Sequence, residues 1–243
     1  MMLQVKNLQK HFGGIKAVDG CNFSVKQGTI TALIGPNGSG KSTVFHLISQ
    51  LEQEDSGKII FKNKNIATLL DYEVARLGVS RTFQEVRLFK NLSIQDHLEI
   101  ALAQEDELLL QSLWKKSADK TKKIQQIIKR VGLHKDLKTY VTDLSYGQRK
   151  LLDLAIAMAK PHDLLMLDEP VAGVNPLIRK EIKAILKQLK KQGETIFVIE
   201  HDMNFVMDIA DHIIVMDAGK VIAEGKPKQI QKNKKVLEAY LGE

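Results

Sequence analysis

The sequence predicts an α/β fold with a largely parallel sheet covered on both faces and a helical subdomain inserted in its middle. Three observations carry this. Strand-like and helical patterns alternate along the chain. Several strand-like runs are almost wholly apolar, as expected of strands covered on both sides. The stretch from about 72 to 142 reads as helical, with no strong strand signal.

The strand-like runs are TITALIG (29–35), KIIFKN (58–63), LLMLDEP (164–170), TIFVIEH (195–201) and IIVMDAGKVIAEG (213–225). Strand-rich segments lie at both termini. Helical patterns cover 41–51, 145–160 and 176–192. The last has Asn175 as N-cap, Pro176 at the first helical position and Gly193 just past its end. Its Leu177, Ile178, Ile182, Ile185, Leu186 and Leu189 recur at helical spacing between charged residues, the pattern of a surface helix lying on a sheet. The middle region carries acidic QEDE at 104–107 and basic KKSADKTKK at 115–123.

A chain of 243 residues is long enough for one large domain with a sizeable core. With 44% hydrophobic and 27% charged residues, the balance is that of a globular protein. No apolar run reaches the roughly 18 residues of a spanning helix. The opening MMLQVKNLQKHF lacks the apolar core of a signal peptide, so an intracellular protein is expected. A single cysteine, Cys21, excludes an internal disulfide and reads as a small buried hydrophobe. The net charge of +7 comes partly from lysines at 115–123 and 226–235. These read as solvated helix faces or as attraction to an anionic surface. They carry little aromatic interleaving, so no nucleic-acid partner is expected.

LIGPNGSGKST (33–43) is poor helix and poor strand. It fits G-x-x-x-x-G-K-[ST] in full, after a strand and before a helix, which is the context a phosphate-binding loop requires. Gly35, Gly38 and Gly40 let the backbone of Pro36, Asn37 and Ser39 wrap phosphate oxygens without Cβ clashes. Successive N–H groups and the helix start at Lys41, Ser42 and Thr43 then face the anion. Lys41 reaches the β- and γ-phosphates, and Ser42 ligates Mg²⁺. LLMLDEP supplies the other half: Asp168, at the end of a buried strand, holds Mg²⁺, and Glu169 beside it is the general base for the attacking water. These two motifs alone define a nucleotide phosphate hydrolase or kinase.

LSYGQRKLLDLAIAMAKP (144–161) narrows the class. It resembles the signature motif of ABC-type ATPases, with Tyr146 where glycine is commoner. Ser145 caps the following helix, and Ser145, Gly147 and Gln148 are in place. In that family the start of this helix points at the γ-phosphate of ATP held by the other subunit, where N–H groups and the helix dipole stabilise charge. The order of motifs fits the family throughout. Phe12 in KHFGGIKAV matches the aromatic that stacks on adenine. Gln84 in RTFQEVRLF matches the glutamine that touches Mg²⁺ and water and senses the transport partner. Ala172–Asn175 matches the loop crossing the dimer interface, with Asn175 where aspartate is commoner. His201 matches the switch histidine at the γ-phosphate.

The chain therefore resembles, over nearly its whole length, the ATPase subunit of an ABC transporter. FGGIKAVDG, RTFQEVRLFKNLSIQDHL, LSYGQRKLLDLA, AGVNP, IEHDMNFVM and LEAYLGE look like the LivG-like ATPases of branched-chain amino acid importers, with urea-importer ATPases close. The middle region is shorter than in that group. The resemblance implies a P-loop NTPase core of ABC ATPase type, an N-terminal antiparallel β subdomain and a helical subdomain at about 85–150. It implies ATP and Mg²⁺ as ligands and a head-to-tail dimer with a paralogous or identical ATPase. It also implies transmembrane permease subunits, reached through a region after Gln84 (about 85–100) whose Val86, Leu88, Phe89 and Leu92 are apolar. An extracytoplasmic solute-binding protein would be an indirect partner, and the place of work the cytoplasmic face of the plasma membrane. Other readings are lipid transport or export, a soluble ABC ATPase acting on ribosomes or DNA, and a module that holds ATP without hydrolysing it. One phosphate loop and no sustained heptads oppose the soluble ATPase; Glu169 and His201 oppose the non-hydrolysing module. A guanine-reading N-K-x-D is absent.

Overall fold

The computed structural model describes residues 1–103 and 117–241, with side chains for 1–103 and 120–240. The acidic QEDE stretch and Lys115 and Lys116 lie outside the described residues. Strands β1 (Leu3–Phe12), β2 (Ile15–Val25), β4 (Ser56–Phe61) and β5 (Lys64–Asn65) form an antiparallel sheet in the order β2-β1-β4-β5. A second sheet has the order β10-β9-β3-β8-β7-β6. Its strands are β3 (Ile30–Ile34), β6 (Val79–Arg81), β7 (Leu164–Asp168), β8 (Thr195–Ile199), β9 (His212–Asp217) and β10 (Lys220–Gly225). All pair parallel except β10, which runs antiparallel to β9.

Every residue of β3, β7 and β8 is buried, so their unbroken apolar runs follow from cover on both faces. Phe197 of β8 sits in the core with its ring 5.8 Å from Phe23 and 4.9 Å from Phe45. The helices are α1 (Lys41–Ile48), α2 (Asp71–Arg76), α3 (Ile94–Leu102), α4 (Ser117–Arg130), α5 (Tyr146–Ala157), α6 (Pro176–Lys191), α7 (Met203–Ile209), α8 (Pro227–Ile230) and α9 (Lys234–Leu241).

The chain divides into two compact units. The first contains both sheets and comprises Met1–Arg81, His162–Glu169 and Leu186–Glu243. The second comprises Thr82–Pro161 and Pro170–Ile185, and within it α3, α4 and α5 pack on one another.

Three expectations change. The run 213–225 is not one strand: it turns back at Ala218 and Gly219, both at positive φ (42° and 77°), as a tight hairpin requires. The 72–142 stretch contains a strand, β6, whose three residues are too few to show a period of two. Leu177 does not join the covered face of α6; it is 65% exposed in the first turn, while Ile182, Ile185, Leu186 and Leu189 are buried. Asn175 does cap α6, its Oδ1 accepting from the N–H of Ile178 at 3.0 Å. Cys21 is buried, its thiol donating to the Gly219 carbonyl, and burial pushes its pKa up to about 11. Lys226, Lys228, Lys232, Lys234 and Lys235 are all exposed, as both readings of the second basic cluster require.

Candidate nucleotide site

Sheet register brings the motifs of the first unit together. Leu33 of β3 pairs with Ile199 of β8, which pairs with Asp168 of β7. These residues stand at one level on three adjacent parallel strands, about 5 Å apart. Just beyond that level come the loop opening at Gly35, His201 after β8 and Glu169 after β7. Ligands of open parallel sheets bind outside the carboxyl ends of the strands, and this is such an end.

Two glycines are sterically required. A Cβ on Gly35 (φ 152°) would lie 2.0 Å from the Met216 carbonyl oxygen, and one on Gly40 (φ 98°) 2.1 Å from that of Ala17. The cradle thus has room for backbone alone. Lys41, buried, donates from Nζ to the carbonyls of Gly35 and Pro36 at 2.8 Å and to Ser39 Oγ at 3.3 Å. Its ammonium is thereby held within the loop. Pro36 is half-buried, Asn37, Gly38 and Ser42 are exposed, Ser39 is buried and Thr43 is half-buried.

Asp168 is 3% exposed. Burial raises its pKa; Arg81 is the strongest opposing influence, donating from Nη2 to Oδ2 at 3.1 Å. Glu169 follows in a left-handed conformation (φ 47°), rare for a residue with a Cβ and found where the surrounding structure dictates it. Its N–H donates to the Ile199 carbonyl at 3.0 Å. Glu169 Oε1 lies 3.6 Å from His201 Nδ1, and the histidine side chain is 57% exposed. Phe12, at the end of β1, is 45% exposed, with Lys10 Nζ 5.1 Å from its ring centroid. It is not a core phenylalanine.

No group of three or more His, Cys, Asp or Glu among the described residues could hold a metal by itself. Mg²⁺ takes one or two protein oxygens plus substrate phosphates. A buried carboxylate at a strand end and an exposed serine after the loop are donors of the right type.

Gln84, Ser145, Gly147 and Gln148 belong to the second unit. Ser145 and Gln148 form a reciprocal cap on α5: the Gln148 N–H donates to Ser145 Oγ (3.3 Å), and the Ser145 N–H donates to Gln148 Oε1 (3.0 Å). Since Ser145 Oγ accepts here, its O–H can still donate to an anion. Tyr146 has a local explanation: its ring lies where a Cβ on Gly173 would be 3.2 Å away, so it rests on the Ala172–Asn175 loop. Gln84 is exposed and its carbonyl accepts from buried Lys150 at 2.8 Å. Asp153, one turn on in α5, is pushed up to about 7 by burial, against the attraction of Lys150. Phe89 is 64% exposed, and Val86, Leu88 and Leu92 are half-buried. Sequence reasoning missed Arg81, Lys150 and Asp153.

A glycine cradle at a helix start, with a buried carboxylate and a Glu–His pair at the same sheet end, defines a phosphate-loop nucleotide hydrolase. The family described as ABC transporter matches residues 18–172, and the one described as branched-chain amino acid ATP-binding cassette transporter matches 220–243. The chain belongs to the ABC transporter family, as one of its ATP-hydrolysing cassettes. It is 40% identical to the probable branched-chain amino acid transport ATP-binding protein LivG of Archaeoglobus fulgidus, covering 99% of this chain and 95% of that one. It is 37% identical to the high-affinity branched-chain amino acid transport ATP-binding protein BraF of Pseudomonas aeruginosa, covering 100% and 98%. The ADP conformation of an ATP-binding cassette of an ABC transporter matches with a TM-score of 0.86 at 35% identity, covering 100% and 99%. Among the described residues no helix is long and apolar enough to cross a membrane.

Proposed function

We propose that this chain is the ATP-hydrolysing subunit of an importer of branched-chain amino acids, working at the cytoplasmic face of a membrane against permease subunits. The chemistry is carried by one observation, the common level of Leu33, Ile199 and Asp168 at the sheet's carboxyl end. The solute is carried by the likeness to LivG and BraF over the whole chain.

Phe12 stacks on the adenine. The loop amides from Gly35 to Ser42, with Asn37, Gly38 and Ser39, cradle the phosphates, and Thr43 extends the cradle into α1. Lys41 exchanges its loop carbonyls for phosphate oxygens. Ser42 and Asp168 would hold Mg²⁺, which would offset charge on the β- and γ-phosphates, and Gln84 is proposed as a further ligand by resemblance alone. Glu169 Oε1 accepts a proton from the attacking water, and His201, beside it, donates to the γ-phosphate. Ser145, Gly147 and Gln148 present the start of α5 to the γ-phosphate held by a second ATPase subunit, a paralogue in the cell, in a head-to-tail dimer. Residues at about 85–150 act as a helical subdomain. Exposed Phe89 and its apolar neighbours receive a permease segment, and a solute-binding protein delivers the amino acid outside.

The test is capture of the tagged chain from its native membranes in mild detergent, with partners identified by mass. Two permease proteins, a second ATPase and an amino acid-binding protein are expected. Ribosomal partners, or none from the membrane, would overturn the transport reading and leave the ATPase chemistry standing.

A further inference from the structure

We infer that Arg81 is a positioning residue for the metal-binding carboxylate, clamping Asp168 at the end of β7 to the C-terminal end of α1. The inference rests on the proposed role of Asp168.

Arg81 is the last residue of β6, and its side chain is 6% exposed. Its guanidinium forks. Nη1 donates to Ser49 Oγ at 2.9 Å, and Nη2 donates to Asp168 Oδ2 at 3.1 Å. The same group lies 5.5 Å from the centroid of the Phe45 ring. Ser49 follows the last residue of α1 and donates its own hydroxyl hydrogen to the Phe45 carbonyl at 2.8 Å. A cation at a helix C-terminus is favourably placed against the exposed carbonyl dipoles. One planar, permanently charged group therefore joins the helix that begins at Lys41 to the carboxylate that closes the strand beside it. Lysine, a point charge, cannot reproduce a fork between two acceptors.

The consequence is geometric. The bond to Oδ2 limits how far the carboxylate can turn and so where its other oxygen faces. An Mg²⁺ ligand must meet near-ideal octahedral geometry, and a carboxylate held less firmly would meet it less often. Metal affinity, rather than nucleotide affinity as such, is the quantity Arg81 controls.

Nucleotide affinity of the full chain is to be measured by calorimetry, in EDTA and across a Mg²⁺ series, for wild type, Arg81→Met, Arg81→Lys and Asp168→Asn. We expect Arg81→Met to leave affinity in EDTA unchanged. The Mg²⁺ needed for half-maximal tightening should rise about tenfold, the factor for one lost charge-assisted hydrogen bond. Arg81→Lys should recover part of this. Equal weakening with and without Mg²⁺ would mean a general structural role and overturn the inference, as would an unchanged Mg²⁺ requirement. If Arg81→Met does not fold, Arg81→Lys is judged by the same split. Asp168→Asn separates the two readings. If it shifts the Mg²⁺ requirement and Arg81→Met does not, only the Arg81 inference fails. If neither shifts it, the metal role of Asp168 fails too.

Discussion

Replacing Asp153 by asparagine should stabilise the protein at pH 8 and less than half as much at pH 5. Asp153 sits in α5 with its carboxyl pushed from the ordinary 3.8 to about 7, because burial disfavours the charged form more than Lys150 favours it. The folded protein therefore binds this proton more tightly than the unfolded chain does. Stability falls as pH rises from about 4 to about 7, and the full penalty persists above that. A change of this size is worth about 4 kcal/mol. Asparagine keeps the shape and cannot ionise, so it resembles the protonated acid at every pH. Lys150 donates to the Gln84 carbonyl, a bond that does not involve the Asp153 carboxyl. Urea denaturation of both, followed by circular dichroism at pH 5 and pH 8, gives the difference between them, from which other titrating groups cancel. We expect it to grow by about 2–3 kcal/mol from pH 5 to pH 8. A difference that is the same at both pH values, or that favours the aspartate at pH 8, would refute the burial argument.

Glu169→Gln should bind ATP, lose most turnover and trap a nucleotide-bound dimer visible by gel filtration; turnover at the wild-type rate would remove Glu169 as the base. Lys41→Ala should lose nucleotide binding in calorimetry, because its ammonium is the only side-chain cation proposed to meet the phosphates. Gly40→Ala should abolish nucleotide binding and lower the melting temperature, since its Cβ would sit 2.1 Å from the Ala17 carbonyl oxygen. Cys21, with its thiol pushed up to about 11, should resist an aromatic disulfide reagent at pH 7.5 until the chain is unfolded.

Much of the first unit's site was legible in the sequence because the signals are local. A phosphate loop is a backbone conformation, and the chain must put glycine where a Cβ would strike the Met216 and Ala17 carbonyls. An unbroken apolar run marks a strand covered on both faces, and the first charged residues after it, Asp168 and Glu169, mark where it leaves the core. The cap at Asn175 and the capping box at Ser145 are readable for the same reason: partners three residues apart must meet.

What escaped the sequence depends on which distant segments meet. Arg81 stands 87 residues from Asp168, and Lys150 stands 66 from the Gln84 carbonyl. Nothing in either neighbourhood names the other. β6 is three residues long, too short for any period, and exists because β7 offers it a parallel edge. Asp153 looks like one more charge on an amphipathic helix, and only burial moves its proton equilibrium toward neutrality. The sequence by itself determined the phosphate loop, the carboxylate pair and the family. Tertiary structure alone decided which cations stand beside the buried carboxylates, because pairing and desolvation act between segments that the chain order leaves far apart.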